Sequence, residues 1–562
     1  MTEGTQHAAT APQQSRRNKH RPKGRGADAV SQEAIRHILN DAPLQRDHLI
    51  ENLHLLHDAF GGLSKPHLVA LAEEMGLAMA EIYEVASFYA HFDILVDGDQ
   101  ASSITVRVCD GPACAMAGAA DLLQNIGDKA GQDVQVVSGP CMGRCDNAPV
   151  VVVGHNHITG ANAKKVGAAV AAKNVRTQAV EAPRYQDYLD KGGFRILEAC
   201  LSGKMSFDDV VSILKNSGLR GLGGAGFPSS MKWKFVRDEP GPRFLAVNAD
   251  EGEPGTFKDR HILVNDPYAF LEGVLIAAWA VEAADTYIYL RDEYADIRLS
   301  LAAIIAQIEK AGRAGHTRLH LRRGAGAYIC GEESAMLESI EGKRGIPRQK
   351  PPFPSQVGLF GRPTLIHNVE TLYWTAKILE KGAGWYQDAG RPHFFSVSGR
   401  VQDPGVKLAP AGITVAELIA EHCGGMAAGH TLKAYLPGGA SGGILPASLS
   451  DLPLDFGTLE KYGCFIGSAA VVVLSDKDDM ADLTRNLMHF FKEESCGQCT
   501  PCRVGTEKAV ALMKARRWDV PVLKQLCDAM SDASICGLGQ AAPNPLRSLL
   551  SHFPEDTPGS ES

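Results

Sequence analysis

Three features that would assign the chain to a common class are missing from the sequence. No apolar run reaches the roughly eighteen residues that a membrane-spanning helix needs, so no membrane span is expected. The formal net charge is −8, and no basic excess marks a nucleic-acid-binding surface. No apolar secretory segment follows Met1. We therefore expect a cytoplasmic protein without a nucleic-acid partner.

The sequence is long and contains many cysteines. A chain of 562 residues exceeds what one hydrophobic core usually organises, so three or more domains are expected. The composition, 44% apolar and 22% charged, is that of an ordinary globular protein. Thirteen cysteines in a chain without an export segment indicate metal or redox sites rather than disulfides.

A glycine-dense stretch, residues 218–233, follows a helix signal that begins at the N-cap Ser206. Its glycines leave backbone N–H groups free to approach a phosphate or a flat ring, and Lys232 adds a cation near its end. A flexible turn is the alternative interpretation. Its candidate contacts are Gly221, Gly223, Gly224 and Lys232.

Two further stretches make a plain turn the weaker interpretation. The apolar residues 244–247 predict a buried parallel strand, which runs directly into Asn248 and Asp250. Ligands of α/β sheets bind at the carboxyl ends of such strands. A second alternating stretch leads through a glycine turn at Gly331 into a helix that starts near Ser334, and helix N-termini favour anions.

Eight cysteines fall into two sets with the spacing of metal ligands. The first set consists of two pairs, which follow the predicted strands 104–108 and 134–137. In the second set, three cysteines are separated from one another by two residues each, and the fourth lies further along the chain. Four thiolates per site suit an iron–sulfur cluster. Zinc is the alternative, as are unligated core thiols at the first set. The two sets are Cys109, Cys114, Cys141 and Cys145, and Cys496, Cys499, Cys502 and Cys536.

From about Gly218 to Phe553 these stretches resemble the FMN- and NADH-binding subunit of respiratory complex I and its soluble relatives. The cysteine pairs and the helical segment before them resemble the thioredoxin-like [2Fe-2S] subunit of the same complex. The resemblance implies a multidomain α+β and α/β protein. Its expected parts are a disordered tail (1–29), a helical bundle (30–97), a thioredoxin-like [2Fe-2S] domain (98–175), a connector (176–205), a Rossmann-like FMN/NAD domain (206–393), a β-grasp-like domain (394–476), a helical bundle with [4Fe-4S] (477–553) and a tail (554–562).

The resemblance also implies roles for individual residues. Glu332 and Glu333 would guide nicotinamide, Glu333 at the catalytic centre, and no residue need act as a general base. Glu253 would bond the ribose hydroxyls and so favour NAD over NADP. The implied FMN contacts are Gly221, Gly223, Gly224, Lys232, Asn248, Asp250, Tyr328, Gly331 and Asn368. The implied dinucleotide contacts are Phe227, Phe235, Lys350 and Phe353, with Glu251, Glu253 and Glu333 as acidic neighbours.

Two positions depart from the pattern of the family. Leu222 stands where an arginine is usual, and His367 stands where an asparagine is usual. The leucine argues against an arginine-tuned flavin, and the histidine changes the hydrogen bonding expected at the flavin edge.

Three further stretches, 405–412, 435–446 and 461–468, resemble the β subunit of soluble, tungsten- or molybdenum-containing formate dehydrogenases. That likeness implies an α subunit that oxidises formate at a pterin-bound metal and carries further iron–sulfur clusters. Electrons would then pass through [4Fe-4S] and FMN to NAD⁺, with [2Fe-2S] as a side branch. The alternatives are the same module in an NAD-reducing hydrogenase and, from another class, a zinc-stapled scaffold without redox chemistry.

Overall fold

The computed structural model describes residues 26–559 apart from 97–98, 100, 129–130 and 132. Most of the predicted disordered tail therefore lies outside the described residues, as do residues 560–562. Helices and strands follow one another in five units, joined by loops and short 3₁₀ turns. Each unit is built on its own sheet or helical bundle, as expected for a chain of this length.

The N-terminal bundle begins where Asp28 caps the first helix by accepting a hydrogen bond from the backbone N–H of Ser31. Gly61, at φ 70°, ends the second helix in the left-handed conformation that glycine adopts without strain. Leu53 and Leu56 are fully buried between the helices. The elements are α1 (Ala29–Leu39), α2 (Leu49–Phe60), β1 (Leu63–Ser64), α3 (Lys65–Met75), α4 (Met79–Phe88) and β2 (Ile94–Leu95).

The thioredoxin-like unit is a four-stranded sheet in the order β4-β3-β5-β6, in which only β3 and β4 are parallel. Cys109 at the end of β3 pairs with Gly139 at the end of β4, so the loops that carry both cysteine pairs leave the same edge. The elements are β3 (Ile104–Cys109), α5 (Pro112–Met116), α6 (Ala119–Gly127), β4 (Val134–Gly139), β5 (Val151–Val153), β6 (Asn156–Ile158) and α7 (Ala163–Ala171).

The segment predicted as a connector contains α8 (Tyr185–Asp190) and α9 (Arg195–Leu201). Phe194, Leu197 and Cys200 are buried in the hydrophobic core of the next unit. The carboxylate of Glu272 accepts a 2.8 Å hydrogen bond from the backbone N–H of Phe194. The segment is thus part of that core, and Cys200 is a core thiol as expected.

The parallel-sheet unit has the strand order β10-β7-β8-β9. After β7 the chain builds outward to β8 and β9, and then returns to add β10 on the other side of β7. The strand order therefore reverses between β7 and β10, which is where α/β sheets bind ligands. The elements are α10 (Phe207–Ser217), α11 (Ser229–Asp238), β7 (Arg243–Ala249), α12 (Lys258–Asn265), α13 (Pro267–Val281), β8 (Ala283–Leu290), α14 (Ala295–Lys310), β9 (Arg318–Arg323), α15 (Glu333–Ile340), β10 (Thr364–Asn368), α16 (Val369–Lys381) and α17 (Ala383–Asp388).

Within the described part of the chain, no single helix has both the length and the hydropathy of a membrane span. Only α12 and α13 taken together meet those criteria, and they form a bent pair at 99°. Nearly every residue of α13 is buried inside the protein, which is the environment of a core helix.

The mixed-sheet unit has the strand order β12-β11-β15-β13-β14, with β11 and β15 parallel at its centre. Thr414 caps its short helix by accepting from the N–H of Glu417. The arrangement fits the predicted β-grasp-like fold. The elements are β11 (His393–Gly399), β12 (Gly405–Ala409), α18 (Val415–Glu417) with a π turn (Leu418–His422), β13 (Leu432–Leu436), β14 (Leu445–Pro446) and β15 (Ala470–Ser475).

The C-terminal bundle comprises α19 (Met480–Glu493), α20 (Thr500–Met513), α21 (Val520–Ala533), α22 (Gly537–Ala541) and α23 (Asn544–His552). Its buried residues belong to the same continuous hydrophobic cluster as those of the N-terminal bundle. Leu487, Phe491 and Cys527 are fully buried within it.

Candidate cofactor sites

The ends of β7 and β10 bring two predicted site residues side by side. Asn248 and Asn368 are partners at the last position where β7 and β10 pair. The Asn248 Nδ2 group donates a 2.8 Å hydrogen bond to the carbonyl of Gly331, and its Oδ1 accepts one of 3.0 Å from the N–H of Asp250. Two of the three stretches singled out in the sequence therefore meet at the point where the strand order reverses.

The glycine loop lies against this point with one side open. A Cβ on Gly223 would come within 2.8 Å of the Asn368 Cβ, so only glycine fits there without displacing a neighbour. A Cβ on Gly224 would meet no protein atom within 4 Å. The N–H of Gly221 donates to the carbonyl of Phe227, which closes the loop on itself. A flat ring can therefore approach the backbone near Gly224.

Two charged groups near the loop lack partners. Among the described residues the Lys232 ammonium makes neither a hydrogen bond nor an ion pair, and burial lowers its pKa. Oδ2 of Asp250 is buried without a hydrogen-bond partner, and burial raises the pKa of this carboxyl well above its usual value. A free cation suits a phosphate, and a buried oxygen without a partner is open to a hydrogen bond with a ring. These residues fit FMN.

An ion-paired cluster lies beside Lys232. Nζ of Lys350 is 2.9 Å from Oε1 of Glu332 and 2.6 Å from Oε1 of Glu333. The other Glu332 oxygen accepts from the N–H groups of Ser334 and Ala335 and so caps α15. Glu332 therefore caps a helix as well as pairing with Lys350, whereas Glu333 is held through its ion pair with Lys350.

Three predicted dinucleotide contacts present aromatic faces to solvent. Phe227, Phe235 and Phe353 are 40%, 48% and 53% exposed. The ring centroids of the first two lie 6.3 Å apart. The opening where Asn248, Asn368 and the glycine loop meet is called the cleft below. Exposed phenylalanine rings beside such a polar cleft suit the stacking of a planar base.

Two predicted acidic contacts are held inside the protein. Glu251 is buried and accepts hydrogen bonds from the N–H groups of Asp259 and Arg260 at the start of α12, and from the Tyr294 hydroxyl. Burial raises its pKa to about 7. Glu253 accepts from the N–H of Ser441 in the mixed-sheet unit. Their roles beside a dinucleotide stay predictions.

Tyr328 bonds in two directions across the same region. Its hydroxyl donates to Glu253 at 3.2 Å, and its backbone N–H donates to Oε2 of Glu494 at 2.8 Å. Its ring contacts that of Phe490 in α19. The residue therefore links the cleft to the C-terminal bundle.

The two departures from the family pattern are both buried. Leu222 lies in the core, and its N–H donates a 2.9 Å hydrogen bond to Oγ1 of Thr371. The imidazole of His367 accepts from the indole of Trp233, and burial lowers its pKa well below the usual value. His367 therefore acts as a neutral acceptor inside the protein.

Sequence reasoning missed the buried ionic network behind Asn368. The Nδ2 group of Asn368 donates a 2.5 Å hydrogen bond to Asp259. Lys258 lies 2.8 Å from Asp259 and 3.0 Å from Glu370, and all three charged side chains are buried. The residues 258–259 follow the predicted strand in sequence, but their spacing gave no sign that they support a residue more than a hundred positions away.

The first cysteine set forms one compact group at the edge of the thioredoxin-like sheet. All four side chains are buried, and the Sγ atoms of Cys141 and Cys145 are 3.4 Å apart. Hydrogen bonds from the thiols of Cys109 and Cys145 hold the pKa of Cys141 well below its usual range. Thiols this close fit a shared [2Fe-2S] cluster.

The second set converges from two loops of the C-terminal bundle. Cys499 immediately precedes α20, Cys502 lies in its first turn, and Cys536 immediately precedes α22. Burial, together with the charges of the other three cysteines, raises the pKa of the Cys502 thiol to about 11. Cys527 is buried within α21, in the hydrophobic core. The four converging thiols fit a cubane cluster.

Comparison with known proteins gives the family. An NADH-quinone oxidoreductase subunit of Rhizobium meliloti (strain 1021) is 42% identical over 382 residues, which span 64% of this chain and 90% of that protein. The chain belongs to the family of these oxidoreductase subunits. The 51 kDa subunit of mitochondrial NADH-ubiquinone oxidoreductase in Aspergillus niger is 41% identical over 372 residues, covering 62% of this chain and 75% of that one.

Family models match most of the chain. Residues 214–376 match the Nuo51 FMN-binding domain, and residues 482–558 match the NADH-ubiquinone oxidoreductase-F iron–sulfur binding region. Residues 35–174 match the thioredoxin-like [2Fe-2S] ferredoxin, and residues 394–445 match the SLBB domain. The predicted fold class, the FMN group and the two clusters are confirmed. The zinc-stapled scaffold is left without support.

A solved structure resembles nearly the whole chain, with the [2Fe-2S] part included. A chain of an NAD⁺-reducing [NiFe]-hydrogenase, in the air-oxidized state, superposes with a TM-score of 0.81 and 32% identity. The match covers 92% of this chain and 94% of that one. The [2Fe-2S] and flavin parts of this chain are thus arranged as in that enzyme.

Proposed function

We propose that the protein exchanges electrons between NAD(H) and iron–sulfur clusters. The observation that carries this proposal is the cleft where Asn248, Asn368 and the glycine loop meet beside the unpartnered ammonium of Lys232. The chain also holds both groups of four converging cysteines. Related proteins are described as NADH-quinone and NADH-ubiquinone oxidoreductase subunits. NAD(H) is accordingly the expected substrate.

The residues of the cleft supply binding and orientation. When bound, FMN supplies the link between two-electron hydride exchange with nicotinamide and one-electron exchange with clusters. Lys232 would neutralise its phosphate, and Asn248 and Asp250 would bond its ring. Phe227, Phe235 and Phe353 would stack on the dinucleotide and exclude water. The Glu333 carboxylate, freed from Lys350, would orient nicotinamide.

For the partner we propose a formate-oxidising α subunit with pterin-bound tungsten or molybdenum and further iron–sulfur clusters. The support is the resemblance of residues 405–412, 435–446 and 461–468 to formate dehydrogenase β subunits. A hydrogenase is the second candidate, favoured by the likeness to the NAD⁺-reducing [NiFe]-hydrogenase chain. We also propose a cytoplasmic location, since none of the thirteen cysteines, each within the described segments, takes part in a disulfide.

The partner can be identified by purifying the protein with the subunits that accompany it. We expect tungsten or molybdenum in metal analysis, and NAD⁺ reduction driven by formate. Reduction driven by hydrogen, with nickel in the preparation, would replace the formate assignment by the hydrogenase one. Absence of NADH oxidation with an artificial one-electron acceptor, in a preparation that contains FMN, would contradict the NAD(H) function itself.

A further inference from the structure

Arg291 lies between the candidate [2Fe-2S] site of the thioredoxin-like unit and the candidate FMN site of the parallel-sheet unit. It directly follows β8, and its backbone N–H donates to the carbonyl of Ala249 at the end of β7. Its side chain is 3% exposed. Because a guanidinium keeps its proton in proteins, a permanent positive charge is buried at this position.

All three nitrogens of this guanidinium have partners. Nη2 donates a 2.5 Å hydrogen bond to the backbone carbonyl of Cys141, one of the four cysteines of the [2Fe-2S] site. Nη1 donates to the backbone carbonyl of Glu251, in the turn after β7. Nε forms a 3.0 Å ion pair with Oε2 of Glu293. The cation therefore contacts both cofactor sites, and its counter-charge is bonded to a different nitrogen from the one that contacts Cys141.

The loop 141–147 packs closely on the parallel-sheet unit. At Gly143, where φ is 64°, an added Cβ would lie 2.2 Å from the hydroxyl oxygen of Tyr294, so only glycine fits there. Both carboxylate oxygens of Asp146 lie 2.8 Å from Nη2 of Arg260 in α12. The place of the loop beside Arg291 is thus fixed by contacts on either side of Gly143.

Phe257 keeps water away from the same loop. Its side chain is fully buried in a small hydrophobic cluster that also contains Cys141 and Cys145. Charges interact more strongly where water is excluded, because the local dielectric constant is low. The pKa of Cys141 is lowered by hydrogen bonds from neighbouring thiols and also by the charge of Arg291. The cation therefore acts on a cysteine of the cluster site across a dry contact.

The two cofactor sites also line one small cavity beside Arg291. Its volume is about 10 Å³, which suits a single water molecule. Pro140, the residue before Cys141, lines it from the thioredoxin-like unit, and Asp250 and Gly252 line it from the turn after β7. The cysteine loop and the FMN turn therefore approach each other at this arginine.

We propose that Arg291 is a positioning residue that raises the reduction potential of the [2Fe-2S] cluster through its buried charge and holds the cysteine loop against the FMN turn. Reduction adds one electron, and hence one negative charge, to the cluster. A nearby cation stabilises the reduced form more than the oxidised form, since the potential of such a cluster depends on the charge and hydrogen bonds around it. The proposal rests on the electron-exchange function proposed above.

The test is a redox titration of the protein with its clusters and FMN in place, without NAD(H), followed by electron paramagnetic resonance. In Arg291→Met the ratio of reduced to oxidised [2Fe-2S], at the midpoint potential of the parent, should fall about tenfold, which corresponds to about 59 mV for one electron. The [4Fe-4S] signal of the same sample is the internal reference and should titrate as in the parent. An unchanged [2Fe-2S] ratio in this variant would overturn the proposal.

Two further variants separate charge from packing. Arg291→Lys keeps the positive charge but loses the guanidinium fork, so its ratio should stay closer to the parent than that of Arg291→Met. Glu293→Gln removes the counter-charge with little change in shape, so its ratio should rise. Equal falls in Arg291→Lys and Arg291→Met would contradict a role of the charge. The absence of a rise in Glu293→Gln would do the same, even if Arg291→Met does not retain its cluster.

Arg322→Met is the matched control. Arg322 is also buried, lies near the end of the neighbouring strand β9 and forms a 2.6 Å ion pair with Glu51. Its [2Fe-2S] ratio should equal that of the parent, and an equal fall in this variant would overturn the specific role of Arg291. NADH oxidation by the parent with an artificial acceptor tests the proposed function separately, so that failure of the function and failure of this inference are told apart.

Discussion

The indole Nε1 of Trp233 donates a 2.7 Å hydrogen bond to Nε2 of His367, and both side chains are buried. This bond joins α11, which carries Lys232, to the end of β10, which carries Asn368. The spacing between the candidate phosphate-binding lysine and the candidate ring-binding asparagine is therefore set by a pair that does not itself line the cleft.

Replacing His367 by leucine should destabilise the protein by about 1–3 kcal/mol, because the buried indole N–H loses its acceptor. FMN should also dissociate more readily. Chemical denaturation followed by tryptophan fluorescence measures the first effect, and flavin released on dilution measures the second. His367→Asn, which restores the residue usual in the family and keeps an acceptor, should behave close to the parent. Equal loss in both variants would show that the hydrogen bond is not responsible.

Lys232→Met should lower FMN affinity by about tenfold or more while iron content stays constant, because a charged hydrogen bond to a phosphate contributes roughly 1.5–3 kcal/mol. The ratio of extracted flavin to iron is the measurement. Lys234→Met, on the exposed side of the same helix, is the matched control. If both variants keep full flavin, Lys232 does not contact FMN.

Cys536→Ala should abolish the [4Fe-4S] signal in electron paramagnetic resonance and lower iron by about four atoms per chain. Cys527→Ala removes a buried thiol from the neighbouring helix and should leave the cluster intact. A variant at Cys536 that retains the full signal would mean that another residue supplies the fourth ligand.

Lys350→Met should raise the KM for NADH about tenfold with little change in kcat, since two carboxylates would face the dinucleotide without their counter-charge. The assay is NADH oxidation with an artificial acceptor. Lys343 also bridges two carboxylates, Glu338 and Glu341, and Lys343→Met serves as the control. A fall in kcat at unchanged KM would contradict a binding role.

The protein should lose stability as the pH falls below about 6.5. Burial lowers the pKa of His157 to about 3, and the charge of Arg144 acts in the same direction. In the unfolded chain His157 takes up a proton near pH 6.5, whereas in the folded protein it stays neutral down to about pH 3. The free energy of unfolding therefore falls progressively as the pH drops from about 6.5 to about 3, and is lower by about 2 kcal/mol at pH 5. Comparing the Tm of the parent and His157→Asn at pH 7.5 and 5 measures this, and the variant should lose less. An equal loss in both would assign the effect to other groups.

Particular residues show which parts of the candidate sites the sequence could predict. The spacing of Cys496, Cys499 and Cys502 indicated a cluster because ligands on one short segment must be neighbours in space. For Glu251 and Glu253 the sequence located the turn after β7 but gave no direction for either side chain. The structure holds Glu251 on the start of α12 and Glu253 on Ser441, because those N–H groups are brought close only by the packing of α12 and of a separate unit.

By itself the sequence determined the chemistry that this protein can hold: which loops are free of side chains, which thiols share a segment, and where a buried strand gives way to polar residues. The tertiary structure alone decided which distant groups meet. Asn248 and Asn368 become neighbours because β10 pairs beside β7. His54 and His91 meet Asp292 because the N-terminal bundle packs against the parallel-sheet unit. Local patterns encode periodicity and backbone preference, whereas contacts between distant segments arise only when their apolar faces are buried together.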